Sequence, residues 1–383
     1  MRVLVAAFDT PLPPHGGSRL RMLHLSRQLA LVGDLEMVAA GEVPADADEP
    51  FPIVGMPVRR SRPGVLVRSL RRPYLAAKLR SSGIDARLAG PGWDVIQVTT
   101  PFFVPAALRS GAPVVLDAHN VEAEIYRTLA TSESRAAHRA RWRWEAAKTE
   151  RAERAAFAAA TAVVATSDED AEVMERWGAR EVVVVPNGVD SYSITHRPPD
   201  AGATLLYVGQ YGYRPNEAAA IELVDEVLPR VSHEVGDARV RLVGRDPSRA
   251  LRRRASDAVE VTGEVDDIRP HLRTARALVL PLRAGSGTRL KVLEALAAGL
   301  PVVSTPLGVS GLEVRHGQEV LIGQTPAELA DLTGRVVADL ELAERLSYAG
   351  RALVERRYDW TIVAEPFVEL HERLAMAQQA SLS

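Results

Sequence analysis

Two series of short, almost wholly apolar runs constrain this chain more than any other feature of its sequence. The first comprises Val3–Phe8, Leu35–Ala40, Val95–Thr99, Val114–Asp117, Ala162–Thr166 and Val182–Val185. After the polar stretch Asp190–Gly202 the pattern restarts with Thr204–Val208, Val240–Val243, Val259–Thr262, Ala277–Leu280 and Pro301–Ser304. Runs without a polar face fit strands of a parallel sheet that helices cover on both sides. Stretches of helical periodicity separate them: Leu20, Leu23, Leu25 and Leu29 mixed with arginines from Ser18 onward, then Asn216–Leu228 and Arg289–Ala298. The expected fold class is α/β, with two doubly wound, Rossmann-like parallel-sheet domains over 1–195 and 196–358. A helical segment, 359–383, has the option of packing back on the first domain. A ligand of such a chain belongs in the crevice outside the carboxyl ends of the strands.

Bulk properties remove several function classes. The chain of 383 residues has room for two cores. Its formal net charge of -2 supplies no global basic field for nucleic acid, and no known reader motif is present. The absence of cysteine excludes disulfides, zinc–thiolate centres and thiol nucleophiles. It also fits a reducing compartment, so a cytoplasmic location is expected. The first residues lack the body of a signal peptide, and no run approaches the roughly 18 apolar residues that span a bilayer.

The segment Pro281–Gly299 carries the clearest chemistry. It follows a strand with a loop, Gly285-Ser286-Gly287-Thr288, and then a helix that opens with Arg289 and Lys291. Glycines admit close approach of backbone N–H groups to an anion, and a helix start adds unpaired N–H groups and a favourable dipole. Arg289 and Lys291 would neutralise a leaving diphosphate. Glu294, one turn beyond Lys291, would accept hydrogen bonds from a ribose diol. The plainer alternative is a surface helix on which Lys291 and Glu294 form a solvent-facing pair.

The first half offers the other wall. His15-Gly16-Gly17-Ser18 joins a strand to a helix, where Gly16 and Gly17 would let a diphosphate or sugar oxygen approach and Ser18 would cap the helix. This is not the Gly-x-Gly-x-x-Gly dinucleotide pattern, which speaks against a dehydrogenase. Asp117-Ala118-His119-Asn120 stands at a strand's carboxyl end, so His119 would meet a sugar, with Asp117 or Glu122 orienting it. A buried structural histidine is the competing reading. Asp46-Ala47-Asp48 and Asp168-Glu169-Asp170 are explained by a loop and by a helix start behind Ser167, so no metal site is expected.

Taken together, these segments resemble a family 4 glycosyltransferase. The resemblance runs through Pro13-Pro14-His15-Gly16-Gly17, Asp117-Ala118-His119-Asn120-Val121-Glu122 and Val185-Pro186-Asn187-Gly188-Val189-Asp190. It continues in Tyr207-Val208-Gly209, Leu242-Val243-Gly244, Val261-Thr262-Gly263, Gly285–Glu294, Pro301–Pro306 and Gly311-Leu312. It implies GT-B architecture, in which two Rossmann-like domains face a central cleft. The implied reaction is retaining, metal-independent transfer from a nucleotide diphosphate sugar by same-face displacement, with no other cofactor. It places the donor on the second domain, Glu294 at the ribose, Arg289 and Lys291 at the diphosphate, and His119 at the transferred sugar. Two departures stand out. Ser286 occupies the position where the family motif usually has a further Glu, and Gln210-Tyr211-Gly212-Tyr213-Arg214 replaces the usual basic pair, leaving Arg214 as a substitute or a solvated charge. A binding protein that has lost turnover and a GT-B-like epimerase are the alternatives.

The acceptor is not identified. From Pro50 to Ile84 there is no acidic residue, while Arg59, Arg60, Arg62, Arg68, Arg71, Arg72, Lys78 and Arg80 alternate with apolar residues. That surface suits an anionic acceptor or the headgroups of the inner membrane face, or else it is an ordinary solvated helical face. Trp142 and Trp144 suit a sugar platform less well than interhelical packing.

Overall fold

The computed structural model describes residues 1–14, 16–58, 69, 72–79, 83–133, 135–197, 202–284 and 289–382. The apolar runs form two parallel sheets. The first contains β1 (Arg2–Ala7), β2 (Asp34–Ala40), β3 (Ile53–Met56), β4 (Val95–Val98), β5 (Val114–Asp117), β6 (Ala162–Ala165) and β7 (Val182–Val184), in the order β3-β2-β1-β4-β5-β6-β7. The second contains β8 (Thr204–Val208), β9 (Arg239–Val243), β10 (Val259–Gly263), β11 (Ala277–Leu280), β12 (Val302–Ser304) and β13 (Leu321–Ile322), in the order β10-β9-β8-β11-β12-β13. In each, the order reverses once, between β1 and β4 and between β8 and β11. Connections on the two sides of that point leave in opposite directions and open a crevice at the strands' carboxyl ends.

The helices used below are α1 (Gly17–Val32), α2 (Glu122–Ser132), α3 (Ala136–Ala159), α4 (Asp168–Arg176), α5 (Arg214–Glu222), α6 (Leu290–Ala298) and α7 (Glu365–Leu382). Strands β1, β4 and β5 are buried on both faces apart from Arg2, as their composition requires. β3 is different. It is half-exposed, lies at the sheet edge and is flanked by Pro52 and Pro57, where a missing N–H costs no ladder bond.

The chain divides into two compact units, one of Met1–Asn187 with Val363–Ser383 and one of Gly188–Ile362. The first crossing thus precedes the expected 195. Val189 N donates to Tyr358 O at 2.8 Å, Ser191 Oγ donates to Asp359 Oδ2 at 2.6 Å, and Ile194 is buried in the second core. In the first unit α7 packs against α1, β4 and β7, with Phe367, Leu370 and Leu374 buried. A turn at Ala364 separates it from the short helix Trp360–Val363.

Candidate functional site

In the first unit the site is organised around a buried ion pair. Asp117 ends β5 and Arg21 lies on α1, and both are essentially without solvent contact. Arg21 Nη2 and Nε donate to Asp117 Oδ1 at 2.8 and 3.0 Å, while Nη1 donates to the carbonyl of Val185 at 2.8 Å. The same Nη1 reaches Pro186 O and Asn187 Oδ1, both at 3.3 Å. One guanidinium therefore ties α1 to the ends of two strands. Burial alone would raise the Asp117 carboxyl, but Arg21 and His119 hold it well below the ordinary carboxylate range.

His119 Nε2 lies 3.3 Å from the other Asp117 oxygen, and Nδ1 has no partner among the described residues. Phe8 meets the ring edge-on at 5.8 Å. Asp117 is therefore the carboxylate that faces His119. Glu122, the first residue of α2, has its carboxyl raised by burial against the pull of His119. Glu153 of α3 accepts the backbone N–H groups of Glu122 and Ala123 at 2.7 and 3.1 Å and so caps α2.

Two expectations near the first helix are refined. Ser18 does not cap α1: the helix begins at Gly17, the cap position is Gly16, and no side chain bonds there. Gly16 has φ +94 and open space where a Cβ would stand, so this position both needs glycine and leaves the backbone approachable. His15 lies outside the described residues. Ser167 Oγ, by contrast, accepts from Asp170 N at 3.2 Å, so the acidic run Asp168–Asp170 opens α4 behind a side-chain cap.

In the second unit, Gly285, Ser286, Gly287 and Thr288 lie outside the described residues, as does most of the Arg59–Arg80 segment. The helix that follows the loop is α6, with Arg289 at its cap position. Lys291 and Glu294 are half-buried and one turn apart. They do not form a simple solvent-facing pair. Lys291 Nζ donates to Asn216 Oδ1 at 3.1 Å and sits 5.0 Å from the centre of the Tyr207 ring. Tyr207 OH donates to the same Asn216 oxygen at 3.1 Å, and Asn216 Nδ2 donates to Gln210 O, which fixes the amide's orientation.

The charges here are incompletely met. Burial, then Arg289, brings the Lys291 ammonium down to about 7, against the pull of Glu294. Burial pushes the Glu294 carboxyl up to about 7, and that carboxyl has no hydrogen-bond partner among the described residues. Arg289 is also lowered by burial, and its Nε and Nη2 each lie 3.4 Å from Leu307 O. Arg214 is exposed at the first residue of α5. A cation–carboxylate pair that the described residues do not fully satisfy suits a polyanion carrying hydroxyl groups.

Arg21, Tyr207 and Asn216 were not among the expected site residues. Arg21 looks like any other arginine of α1 in the sequence, and its partner is 96 residues away. Asn216, near the start of α5, was the more visible, because a polar residue there follows directly on the loop after β8. Trp142 stacks on Tyr126 at 5.9 Å, whereas Trp144 is 60% exposed. A separate cavity of about 760 Å³ lies along the connection from β2 to β3, lined by Glu42, Glu49 and Phe51 among others, and includes none of these residues.

Two family models match the chain, Glycosyltransferase Family 4 over residues 15–192 and Glycosyl transferases group 1 over residues 202–339. Phosphatidyl-myo-inositol mannosyltransferase of Mycobacterium leprae is 32% identical over 214 residues, which are 53% of this chain and 56% of the relative. Glycogen synthase of Mycobacterium tuberculosis is 28% identical over 208 residues, 51% of this chain and 49% of the relative. The chain thus spans about half the length of these curated relatives. Among solved structures, sucrose-phosphate synthase from Thermosynechococcus elongatus has a TM-score of 0.71 at 20% identity, covering 98% of this chain and 99% of that one. Anabaena HepE, solved with UDP and glucose, has a TM-score of 0.70 at 16% identity, covering 97% and 100%. At such identities the likeness is one of fold.

Proposed function

This chain belongs to the family 4 glycosyltransferases and has their GT-B fold, and from that premise we propose that it transfers a sugar from a nucleoside diphosphate to an acceptor hydroxyl with retention. The observation that carries this is the unsatisfied pair on α6: Lys291, brought down to about 7, and Glu294, pushed up to about 7 without a hydrogen-bond partner among the described residues. A diphosphate gives Lys291 and Arg289 an anion to bind, and a ribose diol supplies donors to Glu294. Asn216 and Tyr207 hold the ammonium in place. The Gly285–Thr288 segment adds backbone N–H groups, and Gly16 and Gly17 lend an approachable backbone.

The second unit is the donor side and the first the acceptor side. The bond from the anomeric carbon to the phosphate oxygen breaks as the acceptor oxygen forms its bond on the same face. The departing phosphate oxygen takes the acceptor proton, so neither a metal nor a protein base is required. Arg289 and Lys291 stabilise the charge that grows on that oxygen. His119, oriented by Asp117, hydrogen-bonds the transferred sugar.

Mannosyltransferases among the relatives and a neighbour solved with UDP and glucose make GDP-mannose and UDP-glucose the first donors to test. A donor panel with mixed cell extract, read by mass spectrometry, is expected to show glycosylated product together with free nucleoside diphosphate. Donor binding without product would favour a binding protein, and isomerised sugar without acceptor an epimerase. Either outcome would overturn the proposal.

A further inference from the structure

One strand from Asp117 the first sheet carries a polar side chain with no hydrogen-bond partner among the described residues. Gln97 on β4 is fully buried, and neither its amide oxygen nor its amide nitrogen has a partner among the described residues. Gln97 pairs in register with Val115 of β5. Asp117 lies two residues further along β5, so both side chains leave the same face of the sheet, one strand and one pleat apart. Arg21 reaches Asp117 on that face from α1, and α7 packs on α1 and β4. These two helices contribute two more buried polar atoms without partners among the described residues, Ser26 Oγ and His371 Nε2.

The protonation of His371 is set by its surroundings. Its Nδ1 lies 2.7 Å from Phe367 O, one turn earlier on α7. A carbonyl only accepts, so Nδ1 carries the hydrogen and Nε2 is a bare acceptor. Burial drives the imidazole down to about 4, against the pull of the Phe367 carbonyl and the Asp117 carboxylate, and the ring is neutral. Left dry, the amide, the hydroxyl and the imidazole would each carry a desolvation penalty. A buried water, which typically makes about three hydrogen bonds in a polar niche, is the kind of group that satisfies such atoms.

We propose that Ser26, Gln97 and His371 form a water-bridged polar seam under Asp117, and that His371 acts through it as a positioning residue for the Asp117–His119 pair. The proposal rests on the glycosyltransfer reading above. Arg21 Nη2 and Nε hold Asp117 Oδ1, and Nε also lies 3.2 Å from Oδ2, the oxygen that faces His119 Nε2 at 3.3 Å. The tilt of the carboxylate in the grip of Arg21 decides whether that second oxygen stays on His119. A neutral, acceptor-only ring below supports the carboxylate through water without drawing it away, as a second cation would.

The test compares His371→Leu with His371→Gln in the full chain. Replacing the acceptor of the water bridge by an apolar group of similar size removes acceptor and water together and should leave the melting temperature close to that of wild type. It should nonetheless lower kcat on the order of 10- to 100-fold, as misplacement of a reacting group does, with donor KM within about twofold. His371→Gln, which returns an acceptor, should keep kcat within about threefold of wild type. Gln97→Leu should reproduce the loss, and the double variant should add nothing to it. An unchanged kcat in His371→Leu, or a loss that only follows a falling melting temperature, overturns the proposal. If the wild type turns over no donor, the glycosyltransfer reading fails by itself. The ring ¹⁵N spectrum then still decides the seam: the His119 resonances should move in His371→Leu but not in His371→Gln, and unmoved resonances overturn it.

Discussion

Arg21 in the first unit and Lys291 in the second are both cations set among protein atoms, but they are matched to their surroundings very differently. Arg21 uses all three of its nitrogens, against one carboxylate, two carbonyls and an amide oxygen. Lys291 makes a single hydrogen bond among the described residues, to Asn216, and shares its helix turn with a carboxylate that makes none. Desolvation acts on both. In the first case the protein supplies the compensation and the result is scaffold; in the second the described residues supply only part of it, which is why we propose the donor diphosphate there.

The largest effect should come from breaking the satisfied pair. Arg21→Ala strands a buried carboxylate and should cost about 3–5 kcal/mol of unfolding free energy, measured by denaturant titration. Arg21→Met with Asp117→Leu should recover most of that stability while leaving transfer impaired. Next, Lys291→Ala should lower kcat for transfer by about 10²–10³-fold with an unchanged or higher melting temperature. Full turnover in that variant would remove Lys291 from the mechanism.

The pair on α6 should also produce a narrow pH optimum. A diphosphate needs the ammonium, which in the free protein is lost as pH rises through about 7. A ribose diol needs the carboxylate, which is lost as pH falls through about 7. kcat/KM for donor should therefore be bell-shaped near neutrality, and Lys291→Arg should flatten the alkaline limb. The stability consequences of the two carboxyls have opposite signs. Asp117, held low, contributes stability that is present above its ordinary 3.8 and given up as pH falls. Glu294, held high, contributes in full below its ordinary 4.5 and loses that contribution as pH climbs through about 7. Glu294→Gln should accordingly gain stability on the wild type between pH 5 and 8 in thermal melts. The smallest effect should be Ser167→Ala, about 1 kcal/mol for the lost cap of α4, with kinetics unchanged.

Much of the architecture was legible because it rests on local pattern. Among the described residues, eleven of thirteen strands coincide with apolar runs, since a strand covered on both faces has no alternative composition. The two that escaped, β3 and β13, are short edge strands, one between prolines and the other of two residues. The helix carrying Lys291 and Glu294 was legible for the same reason, and their spacing placed both on one turn. What sequence did not show depends on contacts between distant segments. Arg21 acquires its role only when β5 and the end of β7 arrive beside α1, and the domain crossing moves to Gly188 because Val189 and Ser191 bond to residues near 359. Ser18 misled because Gly16, with its positive φ, takes the cap position itself.

The return of α7 to the first unit has a bearing on recombination between relatives. The backbone passes between the units twice, after Asn187 and again after Ile362. A chimera that exchanges the second unit at one junction imports a foreign terminal helix onto the native first unit, displacing Phe367, Leu370 and His371 from a surface shaped for them. Splicing at both passages leaves that helix with its original sheet, so hybrid enzymes from this scaffold call for an inserted middle segment and not a swapped tail.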